Sequence, residues 1–277
     1  MLKAFAWGVC ILLVLILLAT IRARHRFAAS IDKDWRRLQR QPVTPHAATG
    51  RPEVISKFAA RAIRGVPDPP PAIILEQEAA FRMTPEEPFR EMTARQIIRV
   101  SEPGFVWVAR TRMLPGVEAT IVDGYLEGSG RLEVRLLGAL RIARGEGDQL
   151  ARGELMRYLA EIPWAPHALL YNPSLSFRQI EPSLVEVSAP SRGGIARVRL
   201  AFDPQGDLCS IEADDRPRTI GGRLVEQRWR GEFWEYKRVR GIRIPTLARV
   251  AWEPEGGRFV YWEGRILDWD TVKPLEH

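Results

Sequence analysis

The chain has 277 residues, 45% of them hydrophobic, and a formal net charge of +7, so it holds one sizeable core once any membrane segment is set aside. The charge is local: residues 22–40 carry seven Arg and Lys against Asp32 and Asp34, a net of +5, and Lys3 adds one, which leaves +1 for residues 41–277. A near-neutral main domain argues against a nucleic-acid partner, and two cysteines as far apart as Cys10 and Cys209 exclude a disulfide framework.

Ala4–Ile21 reads AFAWGVCILLVLILLATI, eighteen residues without a charge. A hydrocarbon core of roughly 30 Å needs about 20 apolar residues at 1.5 Å rise each, so this stretch predicts a single-pass transmembrane anchor over residues 1–21. A cleavable signal peptide fits less well, because the arginines follow the apolar run and no small-x-small site precedes a polar start. The basic collar Arg22–Arg40 suits anionic lipid headgroups, so the expected partner of this region is the bilayer. Within the collar, Phe27, Ile31, Trp35 and Leu38 recur at helical spacing. Two readings stay open: a helix lying on the bilayer surface, or a stalk continuing the anchor. QPVTPHAATGRP then reads as a linker, so residues 22–51 form a juxtamembrane segment and linker. A short helix from Pro52 to Gly65 is followed by the extended VPDPPP spacer.

From Ala72 the texture becomes β. AIILEQEAAFRM, REMTARQIIRVS, GFVWVARTRM, VEATIVDGYLEGS and RLEVRLLGALRIARGEG follow in close order, and Leu132, Val134 and Leu136 alternate cleanly. Short turns between them mean antiparallel pairing. One long helix interrupts, over about Asp148–Ile162, with Asp148 as N-cap and Pro163 as stop. Strands resume from SFRQIEP to RFVYWEGRILDWD, with a tight turn at Asp203–Gly206. About ten strands and one substantial helix predict a single α+β domain over 52–270 and a tail at 271–277. Its large curved antiparallel sheet, an open half-barrel or partly closed barrel, wraps the helix.

The segments PGFVW (Pro103–Trp107), VDGYLEGSG (Val122–Gly130), GELMRYLAEIPWAPHALL (Gly153–Leu170) and RWRGEFWEYKRVRGIRIP are similar to an uncharacterised bacterial family, labelled a domain of unknown function and numbered 6544 or 6920. The resemblance covers roughly residues 52–270 and implies a membrane-tethered or envelope-associated protein, with no established activity. The sheet-around-helix shape also resembles the lipoprotein-carrier and lipoprotein-sorting proteins of the bacterial envelope. The resemblance implies a bacterial inner-membrane location with the domain on the outer side. The positive-inside rule, counting Arg22, Arg24 and Arg26 against Lys3, favours the cytoplasmic side, and the two stay in conflict.

No phosphate loop, dinucleotide fingerprint, zinc motif or nucleophile elbow occurs, so no cofactor and no metal are expected. His167 has no Ser or Cys adjacent to it for a dyad. The helix offers Glu154, Arg157 and Glu161 on one face. With Trp164, Pro166 and His167 just beyond, Arg157 and Glu161 read either as a solvated ion pair or as a polar cluster at a cavity mouth. The C-terminal rings are the second candidate. In RWRGEFWEY, alternation assigns Trp229, Gly231 and Phe233 to one face and Trp234 and Tyr236 to the other, and Tyr261 and Trp262 split likewise. The expected ligand site thus comprises Arg157, Glu161, Trp164, His167 and Trp229, for a lipid or other apolar ligand. The rival readings are an interaction protein without a cavity and, last, a hydrolase using Glu161 or Asp123 as general base.

Overall fold

The computed structural model describes residues 2–40 and 50–272; the predicted linker and tail, with His46 and His277, fall mostly outside them. Helix α1 runs Leu2–Gln39 and α2 Glu53–Ala62. Six strands follow: β1 Ala72–Phe81, β2 Arg90–Arg99, β3 Phe105–Leu114, β4 Val117–Leu126, β5 Ser129–Leu136 and β6 Leu140–Gly145. Helix α3 (Asp148–Glu161), a 3-10 turn (Ile162–Trp164) and α4 (Pro166–Tyr171) lead to β7 Ser176–Glu181, β8 Leu184–Ser191 and β9 Gly194–Phe202. The chain then closes with β10 Leu208–Ile220, β11 Arg223–Val239, β12 Ile242–Trp252 and β13 Phe259–Thr271. All thirteen strands join one antiparallel sheet, in the order β6-β5-β4-β3-β2-β1-β13-β12-β11-β10-β9-β8-β7. The half-barrel expected from the sequence is therefore present, with three more strands than the pattern suggested.

Alternation along each strand builds two apolar layers. Ile73, Leu75, Ile98, Phe105 and Trp107 face the concave side, where they pack with Leu155, Met156, Tyr158 and Leu159 of α3 in one large core. The intervening Ala72, Ile97, Val106 and Val122 face outward. There they meet α1. The helix is continuous from its apolar half through the collar, which resolves the two open readings in favour of a stalk. Phe27 and Leu38 are buried against the sheet's outer face, with Ile31 and Trp35 partly covered. The buried Arg99 donates to the carbonyls of Arg37 and Leu38 and so caps the helix's last turn. The apolar half of α1 leaves the sheet with its described large side chains exposed, and it is long and apolar enough to cross a membrane.

Three local expectations need correction. Helix α3 is N-capped by Gly147 (φ 103°), not by Asp148, which already lies in the helix, and no side-chain cap forms. Two glycines let α3 approach the sheet. A Cβ on Gly130 would sit 2.8 Å from backbone atoms of Leu150 and Ala151, and one on Gly193 would sit 2.3 Å from the Asp148 carbonyl. We expect Gly130→Ala to cost about 1–3 kcal/mol by overpacking, read as a lowered midpoint in urea. A midpoint equal to wild type would refute this seating of α3.

The C-terminal rings also depart from simple alternation. Glu235 sits at φ 54°, which breaks the strand's period and turns Tyr236 to the core, where it meets Phe58 edge-on at 6.2 Å. A bulge between Val250 and Ala251 leaves Tyr261 unpaired, so Tyr261 and Trp262 both pack on the concave side. Trp234 stays outside as expected.

Candidate functional site

The strand register places polar residues in a row under α3. Gln96 of β2 pairs with Trp107 of β3, which pairs with Asp123 of β4, and Gln77 of β1 lies one strand further on. These are inward positions in apolar rows. Trp107 Nε1 donates to Gln77 Oε1 at 2.9 Å, Gln77 Nε2 donates to Gln96 Oε1 at 3.0 Å, and Gln96 Nε2 donates to Glu161 Oε2. Arg157 ends the chain: its Nε donates to Glu161 Oε1 at 2.8 Å and a terminal nitrogen donates to Asp123 Oδ2. Its guanidinium also lies 4.7 Å from the Trp107 ring centre and 5.1 Å from that of Phe105. Burial alone would lower the Arg157 pKa, but Glu161, Asp123 and Glu154 together hold it above its ordinary value, so the guanidinium stays charged.

Glu154 stands one turn earlier on α3 and is buried. Desolvation first, then the charge of Asp123, push its carboxyl well above the ordinary 4.5, while the nearby Arg216 and Arg157 oppose that rise. Its Oε2 and the Oδ1 of Asp123 have no hydrogen-bond partner among the described residues. The sign of the pH effect follows. A raised folded-state pKa contributes stability fully below about 4.5, and that contribution is lost as pH rises toward the folded value. Glu154→Gln is expected to leave stability at pH 4 unchanged and to raise it at pH 8, measured by urea denaturation at both pH values. A variant with the wild-type pH slope would refute the assignment.

Trp229 belongs to a second cluster, at one end of the half-barrel. Its Nε1 donates to Tyr261 Oη at 3.0 Å, and Arg216 lies 4.1 Å above its ring. Arg216 also faces Trp252 at 5.5 Å, Arg218 faces Trp252 at 4.8 Å and Phe259 at 5.9 Å, and Arg82 faces Phe259 at 5.3 Å and Phe89 at 4.6 Å. Three guanidiniums thus interleave with four rings from Phe89 at the rim to Trp229 inside. The bulge at Val250–Ala251 and the neighbouring turn bring these rings together.

Trp164 and His167 occupy the core beside the Arg157 chain. Trp164 Nε1 donates to the Pro245 carbonyl at 3.0 Å, and its own carbonyl accepts from Trp269 Nε1 at 2.8 Å. His167 is fully buried, stacked on Trp269 at 6.3 Å, with Nε2 2.6 Å from the Val66 carbonyl oxygen. Burial lowers its pKa against the opposing effect of that hydrogen bond. Of the five expected residues, then, Arg157 and Glu161 touch, Trp164 and His167 share the Trp269 ring, and Trp229 sits apart among the arginines.

The structure adds Gln77, Gln96, Arg82, Arg216 and Arg218, and it buries Glu154 of the helix face read from the sequence. Gln77 was the most legible of these, as an amide in the inward row of Ile73 and Leu75. The arginines carried no such signal, because their rings come from three other strands and a loop. Asp123 and Glu161 each pair with Arg157, which occupies both carboxylates. Among the described residues, no group of three or more His, Cys, Asp or Glu is placed to hold a metal. The concave side is occupied by α3, the 3-10 turn and α4. An open pocket of about 1050 Å³ lies mainly on the outer face, lined by Glu78, Arg110, Trp234 and Arg249 among others.

Comparison with solved structures returns matches at low identity. A LolA superfamily protein from Nitrosomonas europaea matches with a TM-score of 0.44 and 11% identity, over 83% of this chain and 96% of that one. A DUF1329 family protein from Desulfovibrio piger gives 0.45 and 12%, over 82% and 96%. A putative outer membrane lipoprotein-sorting protein domain from Vibrio parahaemolyticus gives 0.41 and 13%, over 81% and 93%. No curated protein matches in sequence. Residues 41–264, which span the sheet from β1 into β13 with both clusters, match a family of unknown function, and the chain therefore belongs to that family, DUF6544.

Proposed function

We propose that this protein is a membrane-anchored, non-catalytic binding module that holds a lipid or similar amphiphile at the end of its half-barrel, beside the bilayer. The observation that carries this reading is the docking of α1. Its apolar half is long enough to span, and its second half packs on the back of the sheet through Phe27, Ile31, Trp35 and Leu38. The half-barrel is thereby held close to the membrane at a set attitude, as a module that takes its ligand from the bilayer requires. The ring-rich end of the sheet supplies apolar surface, and the core behind it is already packed, so the ligand engages the mouth and not a deep cavity.

Native mass spectrometry of the full chain extracted in mild detergent tests this. The expected spectrum contains a lipid-mass adduct that survives detergent removal. A spectrum of bare chain alone, across several detergents, would overturn the reading. The open groove on the outer face, with Trp234 exposed in it, favours a second reading in which the module docks a membrane protein.

A further inference from the structure

We propose that the end of the half-barrel bearing Arg82, Arg216 and Arg218 is a binding site for the phosphate head of an anionic amphiphile whose chains stay in the bilayer. This rests on the lipid-binding reading above and assigns it a place and a ligand class.

The first argument is charge. Most arginines of the domain are paired, as Arg152 is with Asp215 and Glu226 and Arg243 is with Asp207. None of the three ladder arginines has a carboxylate oxygen within 4.0 Å among the described residues. Arg82 donates to the carbonyls of Val260 and Pro85 at 2.8 and 3.0 Å. Arg218 donates to the Gln227 amide oxygen at 2.9 Å, and Arg216 to Tyr261 Oη at 3.3 Å. The Nε of Arg216, a residue only 8% exposed, has no hydrogen-bond partner among the described residues. Three cations held by rings and neutral acceptors leave their charge for a ligand.

The second argument is place. Antiparallel pairing puts the β1–β2, β3–β4, β5–β6, β10–β11 and β12–β13 connections at one end of the sheet. The ladder lies at that end, between the β1–β2 and β12–β13 connections. Helix α1 points the same way: Leu38 lies beside Gly104 before β3, and Arg24 lies beside Gly138 in the β5–β6 turn. Its apolar half therefore departs from the ladder's end. The connections there also expose Met83, Leu114, Leu137, Leu140, Ile220 and Leu224. Apolar tips, a basic collar and unpaired guanidiniums on the side from which the anchor leaves match the order of acyl chain, headgroup and water at a bilayer surface.

The test uses the full chain in a neutral detergent and three probes. These are dioctanoyl phosphatidic acid, dioctanoyl glycerol with the same chains and no phosphate, and inorganic phosphate. The expected result is phosphatidic acid binding at least about tenfold more tightly than either other probe. Arg218→Gln and Arg82→Gln, at partly exposed positions, are expected to remove most of that preference while the melting midpoint stays near wild type. Equal binding of phosphatidic acid and dioctanoyl glycerol, or a preference untouched in both variants, overturns this inference and leaves the lipid-binding reading standing. Inorganic phosphate binding as tightly as the amphiphile overturns the lipid source of the anion. Failure of both lipids to bind removes the inference and the reading together.

Discussion

Arg157→Met is expected to destabilise the protein by about 3–5 kcal/mol, the usual cost of stripping one partner from a buried ion pair. The guanidinium serves Asp123 and Glu161 at once and lies near Glu154, so its removal leaves buried carboxylates with no cation between them. The lost stacking on Trp107 and Phe105 adds to this. Removing the acids as well should recover much of the loss, because a neutral, fully bonded interior costs less than an uncompensated charge. The triple variant Arg157→Met, Asp123→Asn, Glu161→Gln is therefore expected to be more stable than Arg157→Met alone. Urea denaturation of the three proteins decides it. A single variant within about 1 kcal/mol of wild type would mean that water reaches these carboxylates and that the chain from Trp107 to Asp123 is not a closed interior network.

The second large effect concerns the stalk. Substituting Phe27 and Leu38 by alanine together is expected to undock α1 from the sheet while the half-barrel stays folded. Buried Phe→Ala and Leu→Ala changes cost about 3–5 and 2–5 kcal/mol, and the two sites are a helix length apart, so their costs should add. What remains is the partly covered Ile31 and Trp35 and a set of polar contacts: Arg131 with Asp34 and Ser30, Arg95 over Trp35, and the Arg99 cap. Those contacts are partly solvated and contribute little without the apolar patch. Hydrogen exchange over residues 22–39 should rise sharply in micelles, with the amides of β8 to β10 protected as before. Unchanged exchange in the stalk would show that the outer-face contact does not hold the helix.

Much of this architecture was legible because it depends on short-range periodicity. The apolar run, the 3.6-residue stripe of Phe27, Ile31, Trp35 and Leu38, and the period-2 strands each report on which face of an element is apolar. The stripe did not say what it would face. A bilayer surface and the outside of a sheet both accept it, and only the packed chain distinguishes them. The rings of β11 and β13 show the opposite limit. Alternation misplaced Tyr236 and wrongly separated Tyr261 from Trp262 because one left-handed residue and one bulge shift the period, and both are backbone events without a fixed residue signature.

The site divides in the same way. Arg157 and Glu161 meet because they are four apart on a helix, so their contact was readable from spacing. Their joining to Asp123, Gln96, Gln77 and Trp107 depends on the register of four strands, and the arginine ladder depends on side chains from β10 to β13 and the β1–β2 loop. Sequence by itself determined an N-terminal run long and apolar enough to cross a membrane, its basic collar, the antiparallel α+β class and the charge distribution that sets the collar apart from a near-neutral remainder. Only the tertiary structure decided that the second half of that helix packs on the sheet, that the helix charges are interior, and which arginines lack a counter-charge among the described residues. Periodicity and composition are local properties of the chain, whereas burial and charge pairing are fixed by residues that folding brings together from distant positions.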